Sequence, residues 1–197
     1  MILYDGIEMY HASYKIVDKI DLSKCNPGKD FGTGFYLTTN YAQACRFVKT
    51  AIAKAIKNGV KDVISDTGYI SVFKYKENSN KKLSYFEFSG ANEDWLHCVA
   101  AHRKAGLLSD EIKKWEKYDI LAGKIANDAT NQVLTAYMNG LYGEIGSYEA
   151  DEAAIKFLIP NSLSDQVCFR TKKAIDALVF QNSKIIKIEG RYNYENK

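Results

Sequence analysis

Between Ile7 and Ser13, Ile7, Met9 and His11 alternate with Glu8 and Tyr10, a period of two that predicts a half-buried strand. Asn26-Pro27-Gly28-Lys29-Asp30 then punctuates the chain as a loop, and Gly34-Phe35-Tyr36-Leu37-Thr38 reads as a second strand. On that strand Phe35 and Leu37 face one way, Tyr36 and Thr38 the other. The period changes to that of a helix over 40–58, where Cys45, Val48, Ile52 and Ile56 form one stripe supported by Ala44, Ala51 and Ala55, and Gly59 closes it. Two segments rich in aromatic and β-branched residues, Tyr69 to Tyr75 and Lys82 to Phe88, flank Asn78-Ser79-Asn80 and predict a hairpin. Helical stripes follow at 92–105, 128–141 and 148–158, with a short strand, Tyr118 to Ala122, between the first two. The tail predicts strands at Gln166 to Arg170, Ala177 to Phe180 and Lys184 to Glu189. Strands and helices are interspersed without regular β-α-β alternation, so the expected class is α+β, in a single domain over 1–197.

Composition narrows the classes of function without choosing one. The 197 residues carry 27 Lys+Arg and 24 Asp+Glu, a formal charge of 27 − 24 = +3. That is too small to argue for nucleic acid or a membrane surface by itself. Arg46, Lys49, Lys54, Lys57 and Lys61 are expected to form a solvated helix face. No stretch approaches the roughly 18 apolar residues of a membrane span, and the N-terminus lacks a basic, apolar leader. A cytoplasmic protein is expected, or an effector exported without a recognisable signal. Cys25, Cys45, Cys98 and Cys168 form no C-x-x-C pair and read as reduced thiols. His97 and His102, at i and i+5 on one predicted helix, are poorly spaced for a shared metal and are expected to face solvent; no metal is expected.

Dinucleotide-fold and phosphate-loop motifs fail. Gly32-Thr33-Gly34 precedes a strand rather than a helix and lacks the third glycine. What remains is a constellation. His11 lies on the apolar side of its strand, Tyr36 follows a loop with glycines at 28, 32 and 34, and Gln166 and Arg170 lie opposite Val167 and Phe169 on a late strand. Three strands can thereby present His11, Tyr36 and Gln166 to one polar cleft, with the glycine loop beside it.

These residues resemble the ADP-ribosyltransferases of the diphtheria-toxin and poly(ADP-ribose)-polymerase branch. Tyr10-His11-Ala12-Ser13 is similar to that branch's His-Gly-Ser/Thr strand, and Phe31-Gly32-Thr33-Gly34-Phe35-Tyr36-Leu37 to its G-x-G-[IF]-Y strand. A bacterial group marked by Y-H-G-S, P-G-K-D-F-G-x-G-F-Y-L-T-T and Q-x-C-F is more similar still, and its Y-D-I-x-x-G-x-x-A-N-D stretch matches Tyr118 to Asp128. The resemblance implies a split, mostly antiparallel sheet with flanking helices and an NAD-dependent mono-ADP-ribosyltransferase. It implies catalytic roles for His11, Tyr36 and Gln166. It implies NAD contacts from His11, Ala12, Ser13, Gly28, Asp30, Phe31, Gly34, Tyr36 and Asn127. Tyr36 would stack the nicotinamide ring, His11 would bond a ribose hydroxyl, and the backbone around Ala12 would hold the carboxamide. The acceptor would be a macromolecule, a protein before a nucleic acid, and the role that of a bacterial toxin or effector with an antitoxin-like partner.

Two departures leave an alternative open, an NAD- or ADP-ribose-binding module without turnover. Ala12 stands where the pattern has glycine, which would strain a positive φ. Gln166 stands where the branch usually has Glu, so it brings no negative charge to an oxocarbenium-like state. Asn127-Asp128 are either a helix cap or a contact to NAD or acceptor, and Lys29 and Asp30 either turn residues or cofactor contacts. Arg103 and Arg170 are expected to be ion-pair partners.

Overall fold

The computed structural model describes residues 3–77, 82–126, 128–158 and 164–188. Its elements run β1 (Glu8–Ser13), β2 (Phe35–Leu37), α1 (Tyr41–Lys57), β3 (Thr67–Tyr75), β4 (Tyr85–Glu87), α2 (Glu93–Arg103), α3 (Ser109–Glu116), β5 (Ile120–Lys124), α4 (Asp128–Met138), α5 (Tyr148–Phe157), β6 (Asp165–Phe169), α6 (Lys172–Ile175) and β7 (Leu178–Lys187). The class is α+β.

The strands form two sheets, of order β1-β3-β7 and β2-β6-β5-β4. All pairs are antiparallel except β4 with β5. Among the described residues the sheets meet at one bridge, where the Tyr10 and Thr38 backbones exchange N–H···O bonds of 2.8 and 3.1 Å. Beyond it β1 turns to β3 and β2 to β6, so the two strands part.

Alternation assigns three cores. Met9, Phe35, Leu37, Phe73, Val167 and Phe169 fill one face of the junction. Tyr36, Leu121 and Cys168 join Phe31, Trp95, Trp115 and Tyr137 on the other face of the second sheet. Ala12 and Ile70 pack under Ala44, Val48 and Ile52 of α1. The helix starts are chemically marked. Asn40, Asn92 and Ser147 accept the amides of Gln43, Trp95 and Ala150, satisfying donors that a first turn leaves unpaired. Gly59, at φ +69°, ends α1 as its position suggests.

Several expectations need correction. The predicted hairpin does not form: β3 pairs with β1 and β7, whereas β4 lies in the other sheet beside β5. Both segments have strand composition, but composition does not choose a partner; the Asn78-Ser79-Asn80 turn lies outside the described residues. Of the three predicted tail strands, the last two (Ala177 to Phe180 and Lys184 to Glu189) are one, β7, because Gln181 forms a bulge between Phe180 and Asn182 that breaks the alternation without ending the ladder. The segment 109–116 carries no predicted element, yet it forms α3, with Trp115 wholly buried. Ile56 is half exposed, and Ala55 takes the buried position in the α1 stripe. Arg46, Lys49, Lys54, Lys57 and Lys61 are all exposed. All four cysteines are free. No helix among the described residues is long and apolar enough to cross a membrane.

Candidate functional site

The parting of β1 from β2 creates the first component of the site. Tyr10 and Thr38 exchange both backbone bonds, so in an antiparallel ladder the next such pair would be Ala12 with Tyr36. Among the described residues that pair does not form, and the His11 imidazole fills part of the gap: its Nδ1 lies 2.9 Å from the Tyr36 carbonyl oxygen. A carbonyl only accepts, so Nδ1 carries the proton. Burial lowers the His11 pKa below the ordinary histidine value, against the opposing effect of that hydrogen bond, so the ring is neutral at pH 7 and Nε2 carries the lone pair. The ring lies on Phe35, with centroids 4.4 Å apart. The Ala12 N–H and C=O point by alternation into the same split. Ala12 has no positive φ; among the described residues only Asp62 and Leu108 do so without being glycine. The strain expected of alanine at this position is therefore absent. Ser13 is buried on the His11 side of β1.

The single cleft expected for His11, Tyr36 and Gln166 needs correction: Tyr36 and Gln166 occupy the face opposite His11, which lies on Phe35. Tyr36 pairs with Cys168 and Leu37 with Val167, and one further step along that register sets Gln166 opposite Thr38, beside the junction. No hydrogen bond joins His11 to Gln166 among the described residues. The face is also less polar than expected, since Cys168 and Leu121 are wholly buried there. The Tyr36 hydroxyl donates to the Gly32 carbonyl at 2.7 Å and accepts the Phe31 amide at 2.9 Å, so Tyr36 clamps the turn before its own strand. Burial, then the neighbouring Cys168 thiol, push its pKa far up. The Cys168 thiol is itself pushed up to about 12 by burial.

The turn carries the third component. The Asp30 carboxylate is 6% exposed and accepts four donors: Arg103 Nε and Nη2 on Oδ1 at 2.9 and 2.5 Å, and Gln166 Nε2 and the Ala126 amide on Oδ2 at 2.7 and 3.1 Å. Arg103 reaches on to Asn131 at 2.6 Å. Gln166, 4% exposed, also donates to the Lys124 carbonyl at 3.2 Å. Arg103 is thus the ion-pair partner expected. Arg170 instead donates to the Trp115 carbonyl at 2.5 Å.

Other predicted contacts are corrected. Phe31 has no exposed surface to offer a cofactor; it lies between Tyr36 and Phe88. Gly34 serves packing, because a Cβ there would strike Cys168 Sγ and stand 2.9 Å from the Phe169 carbonyl. Gly32 combines φ +74° with the His102 ring directly beneath it. Gly28 sits in an exposed turn whose amide bonds Asn26 Oδ1 at 2.8 Å. Asn127 lies outside the described residues, immediately before α4.

Neither remaining histidine faces solvent. His97 is 9% exposed, with Nε2 2.7 Å from Asp151 Oδ2, while the Tyr137 hydroxyl donates to Oδ1. One ligand atom each of Glu93, His97 and Asp151 lies within 4.8 Å of the others, the grouping that could hold a metal ion. The burial of every residue from Trp95 to Ala101 shows why a central histidine could not be exposed. That near-continuous small or apolar run was the available signal. His102 Nδ1 lies 2.7 Å from the Cys98 carbonyl, and Nε2 is buried without a partner among the described residues. It borders a cavity of about 420 Å³ with Gly32, Thr33, Glu116 and Arg170. A second, of about 470 Å³, lies between Tyr14, Ile16, Val60 and Ile64. Neither is lined by His11, Tyr36 or Gln166.

The described residues thus form two sheets joined at one bridge, with the buried Asp30 and Gln166 on one side of it and His11 on the other. The chain belongs to the family described as protein of unknown function (DUF3990), whose model matches residues 7–180. No curated protein and no solved structure matches it.

Proposed function

We propose that the protein is an NAD-dependent mono-ADP-ribosyltransferase acting on a macromolecular acceptor, a protein in the first instance. The supporting observation is the strand split: a neutral His11 anchored through Nδ1, beside an Ala12 peptide freed from pairing with β2. A primary carboxamide needs one N–H donor and one C=O acceptor side by side, which is what the free edge of a strand offers. The His11 Nε2 lone pair suits a ribose hydroxyl. Cleavage breaks the nicotinamide–ribose bond; the pyridinium nitrogen takes the bonding pair and leaves neutral, and an acceptor nucleophile bonds the ribose carbon and gives up its proton. An uncharged acceptor such as Gln166 can hold a ribose hydroxyl through that step, and backbone and side-chain dipoles supply the stabilisation of developing charge. NAD is the substrate.

Nicotinamide release from labelled NAD tests this. Wild type releases it, and His11→Ala and Tyr36→Ala do not; equal release by all three rejects these assignments. A second reading, a binding module without turnover, is favoured by one observation, the engagement of the Gln166 amide with Asp30. It predicts thermal stabilisation by NAD with release no faster than buffer.

A further inference from the structure

Glutamine at 166 has a structural reason. Its amide nitrogen faces two groups that only accept, the Asp30 carboxylate at 2.7 Å and the Lys124 carbonyl at 3.2 Å. That arrangement fixes which end of the amide is nitrogen. Because the amide is planar, Oε1 is turned away from both, and no hydrogen bond to it is found among the described residues. A glutamate here would set a second carboxylate against Asp30. Asp30 cannot yield, since Arg103 and the Ala126 amide hold its two oxygens. We propose that Arg103 and Asp30 are positioning residues that lock Gln166 as a pure acceptor, so that Oε1 alone meets the substrate. This rests on the NAD reading above and adds to it: the acceptor at position 166 must be uncharged and is aimed by the turn at 29–32, a turn that the Tyr36 hydroxyl also clamps.

The groups around this pair are few. Arg103 approaches from α2, Lys29 stands beside Asp30 on the turn, and Lys124 pairs with Asp165 at 3.0 Å one register step away. Tyr36, Cys98 and Cys168 are kept neutral, burial being the leading cause in each. Each pH point is read as the ratio of Gln166→Glu to wild type, which carries His11 and every other titratable group alike, so a pH effect on that ratio belongs to the Glu–Asp pair.

The test compares wild type with Gln166→Glu from about pH 5 to about pH 8, measuring NAD turnover per folded molecule and, separately, thermal unfolding without NAD. At the upper end the two carboxylates repel, and the variant loses about 10- to 100-fold, the scale of one charge-assisted hydrogen bond lost while buried. Burial and the like charge raise the glutamate pKa. As pH falls through that raised value, the protonated carboxyl donates to Asp30 as the amide did, its carbonyl oxygen replaces Oε1, and the deficit shrinks several-fold. Asp30→Asn loses turnover on the same scale at every pH, because one amide oxygen cannot serve four donors. If Gln166→Glu unfolds at high pH, Asp30→Asn is read instead: a pH-independent loss supports the positioning role, and turnover equal to wild type overturns it. A variant equal to an active wild type, or a deficit independent of pH, overturns the positioning role alone. A wild type that neither binds nor cleaves NAD overturns this inference together with the NAD reading.

Discussion

Gly34 separates packing from ligand approach as the reason for a glycine in the 27–39 block. Its φ is not positive, so backbone conformation does not demand glycine. The added methyl of Gly34→Ala would overlap Cys168 Sγ and lie 2.9 Å from the Phe169 carbonyl oxygen. Cys168 is fully buried against Tyr36, and Phe169 is paired to Phe35 in the ladder, so neither neighbour moves without disturbing a strand. Overpacking of this kind costs about 1–3 kcal/mol, and two immobile neighbours place the cost near the upper end. For a chain of this length that corresponds to a fall in Tm of about 4–10 °C. Cys168→Ala removes one of the two obstacles. In a double-mutant cycle by urea unfolding, the pair should therefore couple favourably by about 1 kcal/mol, while the Phe169 contact keeps the double variant below wild type. Gly34→Ala within about 0.5 kcal/mol of wild type, or strictly additive effects, would refute the packing explanation.

Three further outcomes follow from the same geometry. Tyr36→Phe removes the hydroxyl shared by Gly32 and Phe31, so it should cost about 1–3 kcal/mol and speed hydrogen exchange at the Phe31 amide; an unchanged exchange rate there counts against the clamp. Asp151→Ala strips partners from His97 and Tyr137 between α2, α4 and α5, and should cost about 3 kcal/mol in denaturant unfolding, whereas a near-neutral change would show those groups satisfied elsewhere. His11, whose pKa burial lowers, binds fewer protons folded than unfolded just below the ordinary histidine value of about 6.5. Its contribution is complete above that value and is lost as pH falls through the folded value, so acidification should lower wild-type Tm more than that of His11→Gln; parallel curves would contradict this.

The elements were legible where one face of a segment is buried and the other wet. β1, β2, α1 and β6 were placed to within a few residues because their periods survive intact. Pairing was not legible, since the β3 and β4 segments share strand composition and their ladder partners, β1, β5 and β7, lie far along the chain. α3 escaped because it is only eight residues long and polar on the whole, with Trp115 its one buried residue, and because a left-handed Leu108 without a capping side chain precedes it. For the site, alternation placed Tyr36 and Gln166 on one face but did not show that His11 lies on the other, because the facing of β1 against β2 is set by the junction and not by either strand's own period. Side-chain relations were not legible either. Asp30 meets Gln166 across 136 positions, and no local pattern couples them. The same holds for His97 and Asp151, whose pairing appears only once α2 and α5 pack together.

The central claim is transfer of ADP-ribose, and one measurement addresses it whatever the acceptor is. Cell lysate is incubated with the protein and NAD labelled in its adenosine, and the macromolecular fraction is analysed by mass spectrometry. Wild type should leave labelled ADP-ribose covalently attached to a discrete set of macromolecules, and His11→Ala should leave none. Adducts of equal abundance with both proteins, or label recovered only as intact NAD, would contradict the account.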